Sequence, residues 1–381
     1  RAQSTTIDEL ANRHIDQFFR DMDGLNIQRA HVYPRATQEI PAIIEMVQRL
    51  IEKGHAYPAN GDVYFRVQSK SDYGKLSSRD LDSMLAGARI EPDESKEYPG
   101  DFALWKASKP GEPAWDSPWG KGRPGWHIEC SAMSLKYLGH PIDIHGGGQD
   151  LIFPHHENEI AQSEGSSDDH KPFVRFWVHN GLMRLAESEE KMTRHLGNLI
   201  PIQEVLHRYG GDGLRIFILS SHYRSPITFS QESLEAAKRG AERLRIAVNA
   251  PGGQADPPVH PAPFRERFLE AMDDDLNAAG ALAALFDLAR EINRARDEGR
   301  RTDEAQATLR ETAGVLGLTL TEPQAADRAG AGPFIDLLVE LRDELRAAKQ
   351  YELSDTLRAR LAEMGVTLED SSDGTQWRLR D

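Results

Sequence analysis

The stretch 130–159 constrains this chain more than any other, because it brings a thiol, imidazoles and carboxylates together. It begins at Cys130 and ends with the run 153–159, which reads Phe-Pro-His-His-Glu-Asn-Glu. Cys130 is the only cysteine in 381 residues, so it forms no disulfide within the chain. A lone thiol near a His/Glu cluster is either a small buried apolar group or a chemically active one.

The spacing within this stretch predicts a metal site. Pro154 suits the first turn of a helix, where its missing N–H would be unpaired in any case. A helix that begins there places His155 and Glu159 four residues apart on one face. With Cys130 they form a thiolate, imidazole and carboxylate set, and zinc accepts such ligands in groups of four.

Two alternatives stay open on the residues alone. His156 and Glu157 are further donors that the spacing does not exclude. The same run is also compatible with a polar helix N-terminus, where the charges of Glu157 and Glu159 interact favourably with the helix dipole.

The segment between the thiol and the histidines predicts a helix and a strand. Residues 131–138 predict a helix with Cys130 at its N-terminus, where the dipole favours a thiolate. Residues 142–145 predict a strand that runs into the glycines 146–148. A glycine-rich turn between a strand and a helix allows the backbone to approach a polar or anionic ligand.

Three runs carry a family resemblance. Residues 125–130 read Gly-Trp-His-Ile-Glu-Cys, residues 145–150 read His-Gly-Gly-Gly-Gln-Asp, and the third run is 153–159. They strongly resemble the cysteine–tRNA ligases, which are class I aminoacyl-tRNA synthetases. The resemblance extends over residues 1–381 and includes Gly-Thr-Gln-Trp at 374–377.

The resemblance implies an α/β fold with a Rossmann-like nucleotide-binding core, a helical bundle and a small C-terminal α+β domain. Residue 1 resembles a point inside the catalytic domain, so the core is expected to be incomplete at its N-terminus. The family's HIGH motif and its other zinc cysteine belong to the segment expected to be missing. The implied regions are an insertion between the core halves (1–100), the second core half with the zinc site (101–190), a KMSKS-like loop with a tRNA stem-contact region (191–248), a helical bundle (264–318) and an anticodon-binding domain (334–381).

The resemblance also assigns site residues. It implies one Zn²⁺ per chain, bound by Cys130, His155 and Glu159. Trp126 is expected to line the cysteine pocket. The expected lining of the aminoacyl-adenylate site consists of Gly146, Gly147, Gly148 and Asp150.

A second chemical stretch, 191–198, reads Lys-Met-Thr-Arg-His-Leu-Gly-Asn and resembles the class I KMSKS loop. Lys191 and Arg194 are the expected catalytic, ATP-binding cations, because cations there neutralise the phosphates as ATP reacts. Thr193, Arg194 and His195 replace the family's Ser-Lys-Ser, and arginine does not reproduce the shape of lysine at a phosphate. A solvated basic loop is the alternative interpretation.

The implied reaction joins L-cysteine to tRNA(Cys) through a cysteinyl-adenylate, with ATP as substrate together with Mg²⁺. We expect a cytoplasmic location, because a single cysteine fits a reducing compartment and no apolar run is long enough to cross a membrane. A monomer is also expected. The net charge of −15 argues against general nucleic-acid coating but permits a local footprint. Three alternatives are a non-catalytic tRNA- or cysteine-binding paralogue, the cysteine ligase of mycothiol synthesis, and a fragment of a normal synthetase.

Three other stretches carry structural expectations. Residues 101–125, rich in Trp and Pro, predict for the most part a rigid surface loop packed by aromatic side chains. Residues 249–263 and 320–332 predict linkers by composition.

Overall fold

A computed structural model describes residues 6–79, 95–169, 171–185, 200–321, 325–371 and 374–379. Contacts within the chain divide it into two compact units, Arg1–Leu320 and Thr321–Asp381. In the described part of the chain, no helix is both long and apolar enough to span a bilayer.

Two amphipathic helices open the first unit. Helix α1 (Ile7–Gly24) starts at a capping box, in which Thr6 and Glu9 exchange backbone-to-side-chain hydrogen bonds of 2.9 and 3.2 Å. Two N–H groups that a helix start leaves unpaired are thereby bonded. Helix α2 (Ile40–Glu52) buries its apolar face in a core shared with the following sheet.

An antiparallel sheet of four strands follows α2. Its strands, in their order across the sheet, are β1 (Ala56–Ala59), β2 (Asp62–Phe65), β3 (Phe102–Ala107) and β4 (Gly122–Pro124). The surface loop predicted over 101–125 is therefore wrong for β3 and β4. Trp105 is fully buried between the strands, and Pro124 is tolerated because β4 is an edge strand.

A β–α–β unit holds the centre of the chain. Its elements are helix α3 (Trp126–Leu138), strand β5 (Ile142–Gly148), helix α4 (Glu157–Ser166) and strand β6 (Val174–Asn180). β5 and β6 pair in parallel, from Ile142 opposite Val174 to Gly148 opposite Asn180. Parallel strands joined through a helix are the hallmark of α/β folds. The glycines 146–148 belong to the strand and not to a turn after it.

Helices fill the rest of the first unit. Strands β7 (Met183–Leu185) and β8 (Ile227–Phe229) pair in parallel. The helices are α5 (Ile202–Leu219), α6 (Gln231–Asn249), α7 (Ala262–Asp273), α8 (Ala278–Asp297) and α9 (Asp303–Val315). They share one large apolar core, in which Leu244, Leu285 and Leu309 are at most 2 % exposed.

The second unit is a small α+β assembly. It consists of helix α10 (Ala325–Ala347), helix α11 (Tyr351–Glu363) and an antiparallel hairpin of β9 (Val366–Ser371) with β10 (Gly374–Leu379). The linker predicted over 320–332 is wrong from residue 325 onward, where α10 has begun. Alanine has the highest helix propensity, and the four alanines of 325–331 outweigh the single glycine among them, Gly330.

Candidate functional site

Helix α3 carries the thiol, although not at the position predicted for it. The helix begins at Trp126, so Cys130 lies in its second turn and not at its N-terminus. The effect of a helix dipole fades beyond the first turn. The prediction that Cys130 lies at a helix N-terminus, where the dipole would favour its thiolate, is therefore wrong.

Helix α4 carries the carboxylate at its start. A π-type turn over Ile152–His156 precedes the helix, which begins at Glu157 and so later than the predicted start at Pro154. The backbone is still helical enough to bring His155 and Glu159 together, with His155 Nε2 2.6 Å from Glu159 Oε1.

The structure gathers the predicted metal ligands. One ligand atom from each of Cys130, His155 and Glu159 lies within 4.8 Å of the other two. His155 and Glu159 are buried, whereas Cys130 is partly exposed. Zinc–ligand distances are about 2.0–2.3 Å, so the three atoms are close enough to share one ion.

A second set of donors shares the same carboxylate. His145, at the end of the apolar part of β5, places Nε2 2.9 Å from Glu159 Oε2. His145, His156 and Glu159 also offer ligand atoms within 4.8 Å of one another. His156 therefore remains a possible donor, but only the first set includes the thiol.

Glu157, the other alternative donor, is used elsewhere. Its carboxylate accepts hydrogen bonds from backbone amides of a turn earlier in the chain, namely those of Gly74, Leu76 and Ser77 at 2.8–3.1 Å. These bonds attach the turn to the helix that carries Glu159. The structure thus gives Glu157 an anchoring role.

The neighbours of the Glu159 carboxylate are close to it but are poorly aligned for hydrogen bonding. Among the described residues neither of its oxygens has a well-aligned partner, although two imidazole nitrogens lie within 2.9 Å. An ionised carboxylate removed from water is costly unless it is paired or binds a metal. Its surroundings fit a cation held between the thiol, the imidazole and the carboxylate, which is a donor set that zinc uses.

The charge states fit such a cation. Burial raises the pKa of Glu159, but the imidazoles of His145 and His155 outweigh burial and lower the pKa to about 2. The carboxylate is therefore ionised at neutral pH. Burial, with the charges of Glu159 and Glu129, raises the pKa of the Cys130 thiol to about 12. The protein alone keeps this thiol protonated, and a bound cation would favour the thiolate.

Further histidines hold the donors in place. His127 Nδ1 lies 2.8 Å from His155 Nδ1, and His156 Nδ1 lies 2.7 Å from His179 Nε2. Burial lowers the pKa of His127 and of His156 to about 4, so both rings are neutral at pH 7. A contact to the second ring nitrogen is what fixes the orientation of a ligating imidazole.

Trp126 lies directly beside the cluster. Its indole stacks on the His155 ring, with the ring centroids 4.4 Å apart and the planes 28° from parallel. The side chain is nevertheless 58 % exposed. Trp126 therefore covers one side of His155 and presents its remaining surface to solvent.

The three strand glycines make room for groups of the protein itself. A Cβ at Gly148 would lie 2.5 Å from Asp150 Oδ1, and one at Gly147 would lie 2.9 Å from the His156 ring. At Gly146 the nearest atom would be a backbone oxygen of β6 at 3.1 Å. Asp150 follows in a 3-10 turn with its side chain exposed beside the strand end.

The remaining predicted site residues, Lys191 and Arg194, lie outside the described residues. The site also includes His127, His145 and His179, which were not among the predicted site residues. The spacing of His127 three residues before Cys130 on one helix was an available signal. His145 and His179 join the cluster only because β5 and β6 pair. In this pairing His145 lies opposite Trp177, and His179 lies opposite Gly147.

Comparison with known proteins decides the family. A family described as the catalytic domain of class I (C) tRNA synthetases matches residues 1–239, and a DALR domain matches residues 267–321. The chain is 58% identical over 385 residues to a cysteine–tRNA ligase of Dehalococcoides mccartyi, which covers 100% of this chain and 82% of that protein. The chain belongs to the cysteine–tRNA ligase family. It is an enzyme of the class I type, as the resemblance predicted.

Other members and a solved structure agree with this placement. A cysteine–tRNA ligase of Heliobacterium modesticaldum is 46% identical over 394 residues, covering 97% of this chain and 81% of that protein. The methionyl-tRNA synthetase of Mycobacterium tuberculosis, solved with methionyl-adenylate, superposes with a TM-score of 0.53 over 88% of this chain and 82% of that chain. At 16% identity this likeness concerns the fold alone. The predicted α/β class I fold is confirmed.

Proposed function

We propose that the chain takes part in ATP-dependent ligation of L-cysteine to tRNA(Cys) through a cysteinyl-adenylate, with one Zn²⁺ bound by Cys130, His155 and Glu159. The observation that supports the metal is the buried Glu159 carboxylate, which lies between a thiol and an imidazole without a well-aligned hydrogen bond. The family supports the transfer of cysteine to tRNA.

These three residues would hold the zinc together with the other zinc cysteine that the resemblance implies, and the thiol of the substrate cysteine would be a further ligand. Bound there, zinc would supply a soft cation that holds the thiol of cysteine as a thiolate. The indole of Trp126, which stacks on His155, would line the pocket for the cysteine side chain. Serine offers a hydroxyl that is neither soft nor acidic, so selection of cysteine would need no editing step.

The adenylate would lie at the carboxyl ends of the parallel strands. In α/β folds, ligands bind outside this end of the sheet, and the glycines 146–148 occupy it in β5. Asp150 contributes a carboxylate at the same place. Lys191 and Arg194 are the proposed cations for the phosphates of ATP, which would enter with Mg²⁺.

Two regions are proposed to contact tRNA. Helix α6 presents the exposed cations Lys238, Arg239 and Arg243, which suit the phosphates of the acceptor stem. Residues 334–381, which belong to the second unit, are proposed to read the anticodon. Because one chain carries all of these regions, we propose that the protein acts as a monomer.

Pyrophosphate exchange tests the proposal. Labelled pyrophosphate is mixed with ATP and cysteine, with serine as the matched control, and incorporation into ATP is measured. The assay uses the chain of 381 residues and a version extended to the full length of the Dehalococcoides relative. Exchange with cysteine and not with serine is the expected result for the extended version. Absence of exchange in that version contradicts adenylate formation.

A further inference from the structure

The turn between α7 and α8 has a strained backbone. Asp275 and Leu276 are adjacent and have φ angles of 53° and 55°, in the left-handed region that favours glycine. Burial of the apolar side chain does not explain this conformation, since Leu276 is 55 % exposed. Backbone of this kind persists where neighbouring groups hold it, and it concentrates at functional places.

The side chain of Asp275 binds two neighbouring residues, Tyr223 and Arg224. Asp275 Oδ1 accepts from the Tyr223 hydroxyl at 2.7 Å and from Arg224 Nη2 at 3.1 Å. Asp275 Oδ2 accepts from Arg224 Nε at 2.5 Å. A guanidinium that meets both oxygens of a carboxylate fixes orientation as well as charge. The strained turn thus holds the backbone at Tyr223 and Arg224 in one place.

That backbone is attached to the ends of both central strands. The carbonyl of Tyr223 accepts from the Gly181 amide at 2.7 Å, and Gly181 directly follows β6. The carbonyl of Arg224 accepts from Gln149 Nε2 at 3.0 Å, and Gln149 directly follows β5. The contact is close, because a Cβ at Gly181 would lie 2.2 Å from the backbone oxygen of Ser225.

Asp275 lies in the part of the chain that matches the DALR domain, whereas Tyr223 and Arg224 lie in the part that matches the catalytic domain. We propose that Asp275 is a positioning residue: through Tyr223 and Arg224 it fixes the carboxyl ends of β5 and β6, and so couples the DALR module to the cysteine and adenylate site. The location of that site rests on the proposed function. The coupling itself rests on the hydrogen bonds described above.

A simple surface ion pair is the competing explanation. The Arg224 and Asp275 side chains are about half exposed, and exposed pairs contribute little to stability. Such a pair predicts only local effects when it is broken. Positioning predicts effects at the strand ends, beyond the residues that form the pair.

Hydrogen exchange separates these explanations. Asp275→Asn keeps the size of the side chain and an oxygen for Tyr223, but removes the charge that binds Arg224. In the full chain we expect about fivefold faster exchange in peptides that cover 146–150 and 179–182. Asp274→Asn is the matched control, because the exposed Asp274 side chain has no partner among the described residues. Faster exchange confined to peptides over 222–226 and 271–278 would overturn the proposal.

Cysteine binding to the zinc-supplemented full chain supplies the second measurement. We expect Asp275→Asn to raise the dissociation constant of cysteine about tenfold and to leave the thermal midpoint of unfolding unchanged. Arg224→Gln should have the same effect. In the double variant the two effects on the dissociation constant should not add. Unchanged cysteine affinity in a variant whose strand ends exchange faster would refute the coupling to the site. If the unaltered chain binds no cysteine, the proposed function fails, and the exchange experiment still decides whether Asp275 positions the strands.

Discussion

At the residue scale, Glu159 concentrates the chemistry of the first unit. It is fully buried and ionised, and it lies between two imidazoles and close to a thiol. Removing such a carboxylate from water is tolerated only with compensating charge. The two imidazoles lie 2.9 and 2.6 Å from its oxygens, and the proposed zinc would supply a positive charge beside it.

Zinc retention is the direct test of the ligand set. We expect Glu159→Gln and Cys130→Ser to lose the stoichiometric zinc that the unaltered chain retains after dialysis, because each change removes an anionic ligand. The measurement is metal content by atomic emission. Glu129→Gln is the matched control, since Glu129 neighbours Cys130 but is not among the clustered donors, and it should keep its zinc. Equal zinc in all variants would refute these ligands.

Site residues that are close together in the sequence could be predicted, whereas those brought together by tertiary packing could not. The pair His155 and Glu159 follows from helical spacing, and the run around Cys130 follows from the family resemblance. His145 could not be placed by such arguments. Its contact with Glu159 depends on how β5 lies against α4, which is set by tertiary packing and not by local periodicity.

At the scale of elements, helix α3 and strand β5 were predicted from the sequence, and strands β3 and β4 were not. Tryptophans and prolines alternate over 101–125 in a way that suggests a loop. The structure instead buries Trp105 in the sheet. Gly122 makes this possible, because its missing side chain leaves space for the indole. A long-range contact between two strands thus outweighed the local turn signals.

Gly122→Ala tests this explanation. The added Cβ would lie 2.2 Å from Trp105 Nε1 and 2.4 Å from the Lys106 oxygen. We expect the free energy of unfolding to fall by about 1–3 kcal/mol, the usual result of overpacking, as measured by urea denaturation. Gly314→Ala in α9 is the control, because nothing lies within 4 Å of its Cβ. It should stabilise the chain by about 0.5–1 kcal/mol. A neutral Gly122→Ala would contradict the packing argument.

At the scale of the whole molecule, the first unit joins three distant parts of the chain at helix α5. Arg215, which is half-buried, donates from Nε and Nη2 to the Leu316 carbonyl at 2.9 and 2.7 Å. Its Nη1 donates to the Leu25 carbonyl at 2.8 Å. Leu25 follows α1, and Leu316 follows α9. One side chain therefore binds the ends of two helices that lie far apart in sequence.

Arg215→Ala is expected to weaken the whole first unit. The change removes three hydrogen bonds from a charged donor and leaves the carbonyls of Leu25 and Leu316 without this partner. Hydrogen bonds to a charged group contribute about 1.5–3 kcal/mol net. Because water replaces part of these contacts at the half-buried side chain, we expect a loss of about 2–3 kcal/mol in the free energy of unfolding. Urea denaturation followed by circular dichroism measures it.

Arg290→Ala is the matched control for this prediction. Arg290 is 79% exposed and makes an i,i+3 ion pair with Asp287 on the surface of α8, so its removal should change stability by less than about 0.5 kcal/mol. The two variants remove the same side chain and differ in what it holds. If Arg215→Ala costs no more than Arg290→Ala, water replaces the carbonyl contacts without loss. The joining of α1, α5 and α9 would then rest on the apolar core and on the remaining hydrogen bonds, such as those from Asn26 to Gly317 and from Thr319 to Asp212.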